Sequence, residues 1–495
     1  MPGETNIVLV GAGPTGLLLA GDLAAAGLDV TVLERRADES NLTRAFAVHA
    51  RTLELLDMRG VAGELLATGT KVPLLRLPGG ARLDLSRLPG HFPYVLITPQ
   101  YETERVLTDR ALAAGARIEY GTRVTGLRQD DDGVTVYAAG RDGPARGRRA
   151  AYVVGADGAH STVRDALGLP FPGRAAVRSV MLADVRLTDP PGDVLAVGAA
   201  RGAFGFLAPF GDGRHRAIAW NDDADLDDDV PVDVDDLRAT LRRALGTDHG
   251  LHDPSWTSRF HSDERQVPRY RVHRVFLAGD AAHVHSPVGG QGMNVGLQDA
   301  ANLSWRLVAA ARGDTGLLDG YQRERHPVGR AVLLGSGAML RGARLRAAPL
   351  RAARDALLRA VTGTPPLARR VARAVSGIGI AYDAPRGSHR LTGRRAPDVA
   401  LDGPPGRLFA ALREGRFVLV VAADDPAVTY LATRLWAGRV HCAVAGAATR
   451  TTALVRPDGY VAWATDATAP EHRAAEIRAA LTRWCGPPVH VRPAA

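Results

Sequence analysis

Asn6-Ile7-Val8-Leu9-Val10 is an apolar run that halts at Gly11-Ala12-Gly13-Pro14-Thr15-Gly16 and passes into an amphipathic segment ending near Ala26. The chain turns at Gly27-Leu28-Asp29 and resumes as Val30-Thr31-Val32-Leu33, closing on Glu34. Few patterns constrain a fold more tightly than strand, GxGxxG turn, helix and second strand. In a parallel βαβ unit the three glycines permit a tight turn, close approach of a pyrophosphate to the backbone, and close packing of helix on strand. An acid at the end of the second strand accepts from ribose hydroxyls. Gly11, Gly13, Pro14, Thr15, Gly16 and Glu34 therefore mark a dinucleotide site. The motif alone does not separate NAD from FAD.

A second glycine-rich turn lies far downstream. Val275-Phe276-Leu277 is an apolar strand that runs into Gly279-Asp280-Ala281-Ala282-His283, then Pro287, Gly289, Gly290, Gln291, Gly292, Met293 and Asn294, with a helix carrying Leu297, Leu303 and Leu307 after it. Such a loop turns backbone N–H groups and the positive end of a helix toward an anionic or electron-accepting ring. A dinucleotide as long as FAD needs a second anchor of this kind, whereas an NAD domain continues directly into further βα repeats. The pair of turns favours FAD.

Three elements now stand in order: Gly11 to Gly16; Gly155-Ala156-Asp157-Gly158 with Ser161, Val163 and Arg164; and Gly279-Asp280-Ala281-Ala282-His283. In this order and spacing the chain resembles the class A FAD-dependent aromatic hydroxylases of the p-hydroxybenzoate hydroxylase fold, and within them the aromatic polyketide hydroxylases. The resemblance implies an α/β chain in several parts. These are an FAD-binding Rossmann-like domain of the glutathione-reductase type (1–171, with a substrate-side insertion at 69–97), an α+β sheet substrate domain (172–271), a return to the FAD domain (272–330), a helical linker (331–386) and a thioredoxin-like C-terminal domain (387–495).

By the same resemblance Arg44 neutralises the pyrophosphate, as a guanidinium does well, Gln100 contacts the FAD linker and the backbone at Val124 lies against adenine. Arg35 flanks the ribose acid, and Asp157, Asp280, Pro287, Gly290, Gly292, Met293 and Asn294 complete the cofactor set. Relatives often carry glycine where this chain has Ala47. Arg51 and Glu54 read as a helix-surface pair. Phe46 beside the flavin, and Phe204, Phe206, Phe210 and Trp220 on alternating strands, are candidates for a flat aromatic pocket. Leu237 to Leu245 reads as a helix, and Tyr321 to Pro327 as the close of one.

The implied chemistry is oxygen transfer: FAD reduced by NADPH reacts with molecular oxygen, and a flavin hydroperoxide delivers one oxygen atom to a polycyclic aromatic polyketide. Hydroxylation in antibiotic biosynthesis is the favoured outcome. Baeyer–Villiger insertion, inactivation of a rifamycin-type antibiotic, and a non-catalytic flavin-binding assembly role stay open. No catalytic side chain is named, because the cofactor carries the reaction.

Composition excludes other classes. The net charge of +9 rests almost wholly on arginine, Lys71 being the sole lysine, and acids are interspersed without a basic–aromatic run, so nucleic acid is not expected. Cys442 and Cys485 form neither a metal spacing nor a CxxC, which rules out thiol redox chemistry in the tail. His283 and His285 lack accompanying carboxylates in the sequence and read as structural rather than metal-binding. No apolar run suggests a membrane span or signal peptide. A cytoplasmic protein, monomer or homodimer, is expected.

Overall fold

The computed structural model describes residues 6–38, 45–141, 143–192, 195–223, 226–422, 426–446 and 449–488. Asn6–Val10 pairs in parallel with Asp29–Leu33 on one side and Tyr152–Gly155 on the other, in register Val8↔Thr31 and Val8↔Val153. Val275–Leu277 and Arg117–Glu119 extend this sheet in parallel, and Arg271–Val272 closes one edge antiparallel. Near-continuous Val, Ile and Leu in these strands fit a sheet buried on both faces. The Pro14–Ala25 and Gly292–Ala311 helices pack against each other beneath it. All three sequence elements thus end at one edge, where open α/β sheets bind ligands.

A second, eight-stranded sheet is built from Gly173–Leu187, Leu195–Ala200, Ala203–Pro209, His215–Asn221 and Leu251–Gln266. His283–Val284 joins one edge, so the segment leaving the second glycine turn stitches cofactor domain to sheet. Leu74–Arg76 and Arg82–Asp84 join the other edge, which puts part of the 69–97 insertion on the substrate side. Strand alternation divides the faces. Leu207, Ala217 and Ala219 pack beneath the Val234–Leu245 helix, whereas Phe204, Phe210, Ile218 and Trp220 belong to the core shared with the cofactor domain.

Asp130 closes the hairpin between Arg123–Gln129 and Val134–Ala139, its Oδ1 accepting from the N–H groups of Asp132 and Gly133. Ser161 caps the Thr162–Ala166 helix by accepting from Arg164 N–H. One expectation fails here. The helix does not close at Pro327 but runs from Asp319 to Ala343 with the proline inside it. Buried Tyr321, Arg325 and Val328 hold both flanks of the proline, and that packing outweighs one missing backbone donor.

The C-terminal sheet, Phe417–Val421 flanked by parallel Val440–Val444 and antiparallel Thr452–Val455 with Val461–Thr465, is covered by the Pro470–Cys485 helix. It shares a core with the cofactor domain: Trp305, on the Gly292–Ala311 helix, sits edge-on to Phe417 at 5.5 Å.

Candidate cofactor and substrate site

Seven of the residues singled out in the sequence line one cleft of about 300 Å³: Gly11, Gly13, Glu34, Arg35, Gln100, Val124 and Asp157. Glu34 is its anchor. One carboxylate oxygen accepts from Ala12 N–H at 2.7 Å; the other accepts from Arg36 N–H at 2.9 Å and Arg36 Nε at 3.0 Å. Burial alone would raise its pKa, but the hydrogen bonds from Arg36 and Ala12 and the Arg36 charge outweigh burial and hold the carboxyl below its ordinary range. It is therefore a charged acceptor at neutral pH, as ribose hydroxyls require. Arg36 was not anticipated; in sequence it is indistinguishable from Arg35.

The glycines divide into two kinds. Gly11 has φ +102° and leaves no space for a Cβ beside the Ala156 backbone, and a Cβ on Gly16 would collide with the Gly11 carbonyl. Gly13 has an ordinary N-cap conformation and open space where its Cβ would point. Pro14 occupies the first helical turn, and Thr15 lies between the two turns, its Oγ1 filling the space above Gly279 and Gly296. Asp157 accepts from Ser161 Oγ and Val163 N–H, and burial raises its pKa. Arg164 makes no pair with it and instead stacks on Phe171 at 4.1 Å.

The second turn gathers the rest. Gly279 takes φ +61°, Gly289 +99° and Gly290 +59°, conformations that favour glycine. Gly292 and Met293 begin the Gly292–Ala311 helix, with Pro287 leading in. Asn294 is engaged through its side chain: Oδ1 accepts from His49 N–H at 2.8 Å, and Nδ2 donates to the carbonyls of Ala47 and Gly290, both at 2.8 Å. It staples the Ala47–Val48 strand to the glycine loop. Gln100 Oε1 accepts from Ala45 N–H at 2.9 Å, fixing the start of the same strand. Beneath the turn, Asp299 accepts from Gly279 N–H at 3.2 Å, His283 Nε2 at 2.6 Å and Arg325 Nε at 2.7 Å, all fully buried. Arg44 lies outside the described residues.

Phe46 joins this cofactor edge to the aromatic face. Its ring lies 5.4 Å from that of Phe206. Phe204 stacks on Trp220 at 3.8 Å, both buried. Arg216, fully buried, sits under Phe46, Phe210 and Trp256 at 5.7, 5.2 and 4.9 Å and forms two hydrogen bonds with Asp184. Neither charge announces this role in the sequence. Among the described residues no cluster suits a metal ion.

The cleft, the charged acceptor Glu34, the open backbone at Gly13 and the second glycine turn fit an adenine dinucleotide with a further ring system. Residues 4–336 match the family FAD binding domain, and residues 389–488 match the aromatic-ring hydroxylase C-terminal domain. The chain belongs to the FAD-dependent aromatic-ring hydroxylases. It is 38% identical to the 12-dehydrotetracycline 5-monooxygenase/anhydrotetracycline 6-monooxygenase of Streptomyces rimosus, over 98% of this chain and 99% of that one. It is also 38% identical to the rifampicin monooxygenase of Streptomyces venezuelae, over 93% and 95%. Among solved structures it resembles CabE, an aromatic hydroxylase from angucycline biosynthesis, with TM-score 0.85 and 37% identity over 98% of this chain and all of that one. The hydroxylase is an FAD-dependent monooxygenase, and no described helix is long and apolar enough to cross a membrane.

Its buried histidines carry a pH prediction. Burial pushes the imidazole of His49 down to about 4, while in the unfolded chain it titrates near 6.5. The unfolded chain then binds the extra proton between these values, so stability is fully present above about pH 6.5 and is lost as pH falls toward 4, at ~1.4 kcal/mol per pH unit. Thermal midpoints of the apoprotein measured from pH 7 to 4.5 are expected to fall more steeply in wild type than in His49→Gln. Parallel profiles would refute the assignment.

Proposed function

We propose that this hydroxylase uses FAD, NADPH and molecular oxygen to add one oxygen atom to a polycyclic aromatic polyketide, as a cytoplasmic monomer or homodimer in antibiotic biosynthesis. The observation that carries the reading is the aromatic face of Phe204, Phe206, Phe210 and Trp220, joined by Phe46 to the strand stapled against the glycine turn. Bound FAD supplies the oxygen chemistry. The protein's own part is positional. Glu34 and the open backbone at Gly13 hold the adenosine half. Backbone N–H groups at the start of the Gly292–Ala311 helix favour negative charge on the ring. The rings of Phe46 and Phe206 orient a flat substrate and exclude water from it. Arg216, held by Asp184, lays its guanidinium against the rings from beneath.

The relatives, a tetracycline-scaffold monooxygenase, a rifampicin monooxygenase and a hydroxylase from angucycline biosynthesis, support the substrate class. The test is NADPH and NADH oxidation by the FAD-loaded protein, with and without tetracyclic and angular aromatic polyketides, with products read by mass spectrometry. We expect oxidation of NADPH to rise at least tenfold with a true substrate, and a product one oxygen heavier with its rings intact. An enlarged ring would assign insertion instead. Nucleotide oxidation indifferent to every aromatic would assign a reductase.

A further inference from the structure

His285 stands in the segment between the Asp280 turn and the glycine loop. It is 8% exposed, and neither Nδ1 nor Nε2 has a hydrogen-bond partner among the described residues. A buried polar group with no partner is costly, and native chains rarely keep one without a use. Its neighbours do not relieve it. The His283 ring is 4.8 Å away, but the Nε2 of that ring is already engaged with Asp299, whose oxygens also serve Gly279 and Arg325.

What the imidazole does face is the start of the Gly292–Ala311 helix. The point from which a side chain at Gly292 would spring is 3.9 Å from His285 Nδ1 and 3.9 Å from Asp280 Oδ1. Positions 289, 290 and 292 are all glycine. An imidazole and a carboxylate therefore flank a stretch of backbone, Gly289 to Gly292, in which Gln291 alone carries a side chain.

We propose that His285 is a positioning residue for the flavin half of the cofactor, hydrogen-bonding a hydroxyl or carbonyl oxygen of FAD laid against the Gly289–Asn294 loop and acting with Asp280 on the other side. This rests on the reading that FAD occupies the loop. Burial first, and the neighbouring His283 second, push the imidazole down to about 3. It is neutral at working pH, so it offers one donor and one acceptor and adds no charge beside the ring.

The test uses the full-length apoprotein of wild type, His285→Leu and His285→Gln. FAD affinity is followed by quenching of flavin fluorescence, and thermal midpoints are taken with and without FAD. Leucine removes an unsatisfied polar group from the interior, so the His285→Leu apoprotein is expected to melt at or above the wild-type temperature. Its FAD affinity should nevertheless fall about tenfold, and its FAD-induced rise in midpoint should shrink. Glutamine, which can donate and accept, should recover most of the affinity. FAD binding by His285→Leu within twofold of wild type would overturn the proposal. So would a loss of affinity that merely tracks a lowered apoprotein midpoint and is not rescued by glutamine, since that is how a core spacer behaves. Failure of wild type itself to bind FAD would sink the FAD reading and this proposal with it.

Discussion

Gly13→Ala is expected to leave the apoprotein folded and to cost on the order of 100-fold in FAD affinity, about 2.7 kcal/mol. The residue has φ −80° and ψ 176°, which alanine adopts without strain, and among the described residues no atom beyond its chain neighbours lies within 4 Å of the added Cβ. Its cost to the fold is a poorer N-cap, about 0.5–1 kcal/mol. On the FAD reading the methyl would instead fall where the backbone meets the pyrophosphate. Gly16→Ala should behave differently, because its Cβ runs into the Gly11 carbonyl within the strand–helix unit itself. That variant loses apoprotein stability as well as FAD. Circular dichroism melts of the two apoproteins, beside FAD titrations, separate the cases. Equal melting losses in both would mean that Gly13 is a packing glycine, and the cleft would lose its claim to the pyrophosphate.

What the sequence made legible was local. Asn6 to Glu34 encode their own strand, turn, helix and strand. The Asp130 hairpin and the Ser161 cap also follow from residues within a few positions of each other. The alternation of Phe204, Phe206 and Phe210 placed them on one face because the side-chain period of a strand is two. Distant partners were not legible. Arg51 and Glu54, which read as a solvent-facing pair, are fully buried, since Arg395 reaches Glu54 and the Asp458 carbonyl accepts from Arg51 at 2.6 Å. Nothing within a turn of either residue announces those contacts. Arg216 and Asp184 were passed over for a related reason: a charge in a strand reads as facing water, and only the cross-strand neighbours reveal a bidentate pair roofed by aromatic rings. Pro327 reads as a stop because its own chemistry disfavours a helix, and tertiary packing on both flanks decides otherwise.

The same long-range charges carry the second large prediction. Arg456, buried in the C-terminal unit, donates to Glu324 Oε1 at 2.7 Å and to Asp458 Oδ1 at 2.9 Å. Asn302 donates to Glu324 at 2.7 Å and to Asp458 at 3.3 Å, and Arg306 pairs with Glu324 at 2.8 Å. Glu324 shows how the balance falls. Burial raises its pKa, but the charges of Arg456 and Arg306 win and hold it at about 2. The network therefore ties the tail to the Gly292–Ala311 helix, whose first turn belongs to the glycine loop. Arg456→Ala takes the arginine from two largely buried carboxylates, leaving Arg306 and Asn302 as their hydrogen-bonding and ion-pair partners among the described residues of the cofactor domain. Breaking one member of a buried ionic cluster costs about 3–5 kcal/mol, which for a unit of this size is on the order of a 10 °C drop in melting temperature. Because the helix is loosened from below, FAD should dissociate at a lower temperature too, visible as an earlier rise of flavin fluorescence. The decisive comparison is the double variant Arg456→Met, Asp458→Asn. It removes one buried carboxylate along with the arginine, leaves Glu324 paired with Arg306, and should recover most of the loss, since neutral groups of similar shape can replace a buried ion pair at little cost. Should the double variant melt below Arg456→Ala, the ion pairs themselves would be what fastens the tail. Should Arg456→Ala melt with wild type, the network would be an ornament of the interface, and the packing of Trp305 on Phe417 with the Arg395–Glu54 and Arg407–Asp57 pairs would hold the two units together.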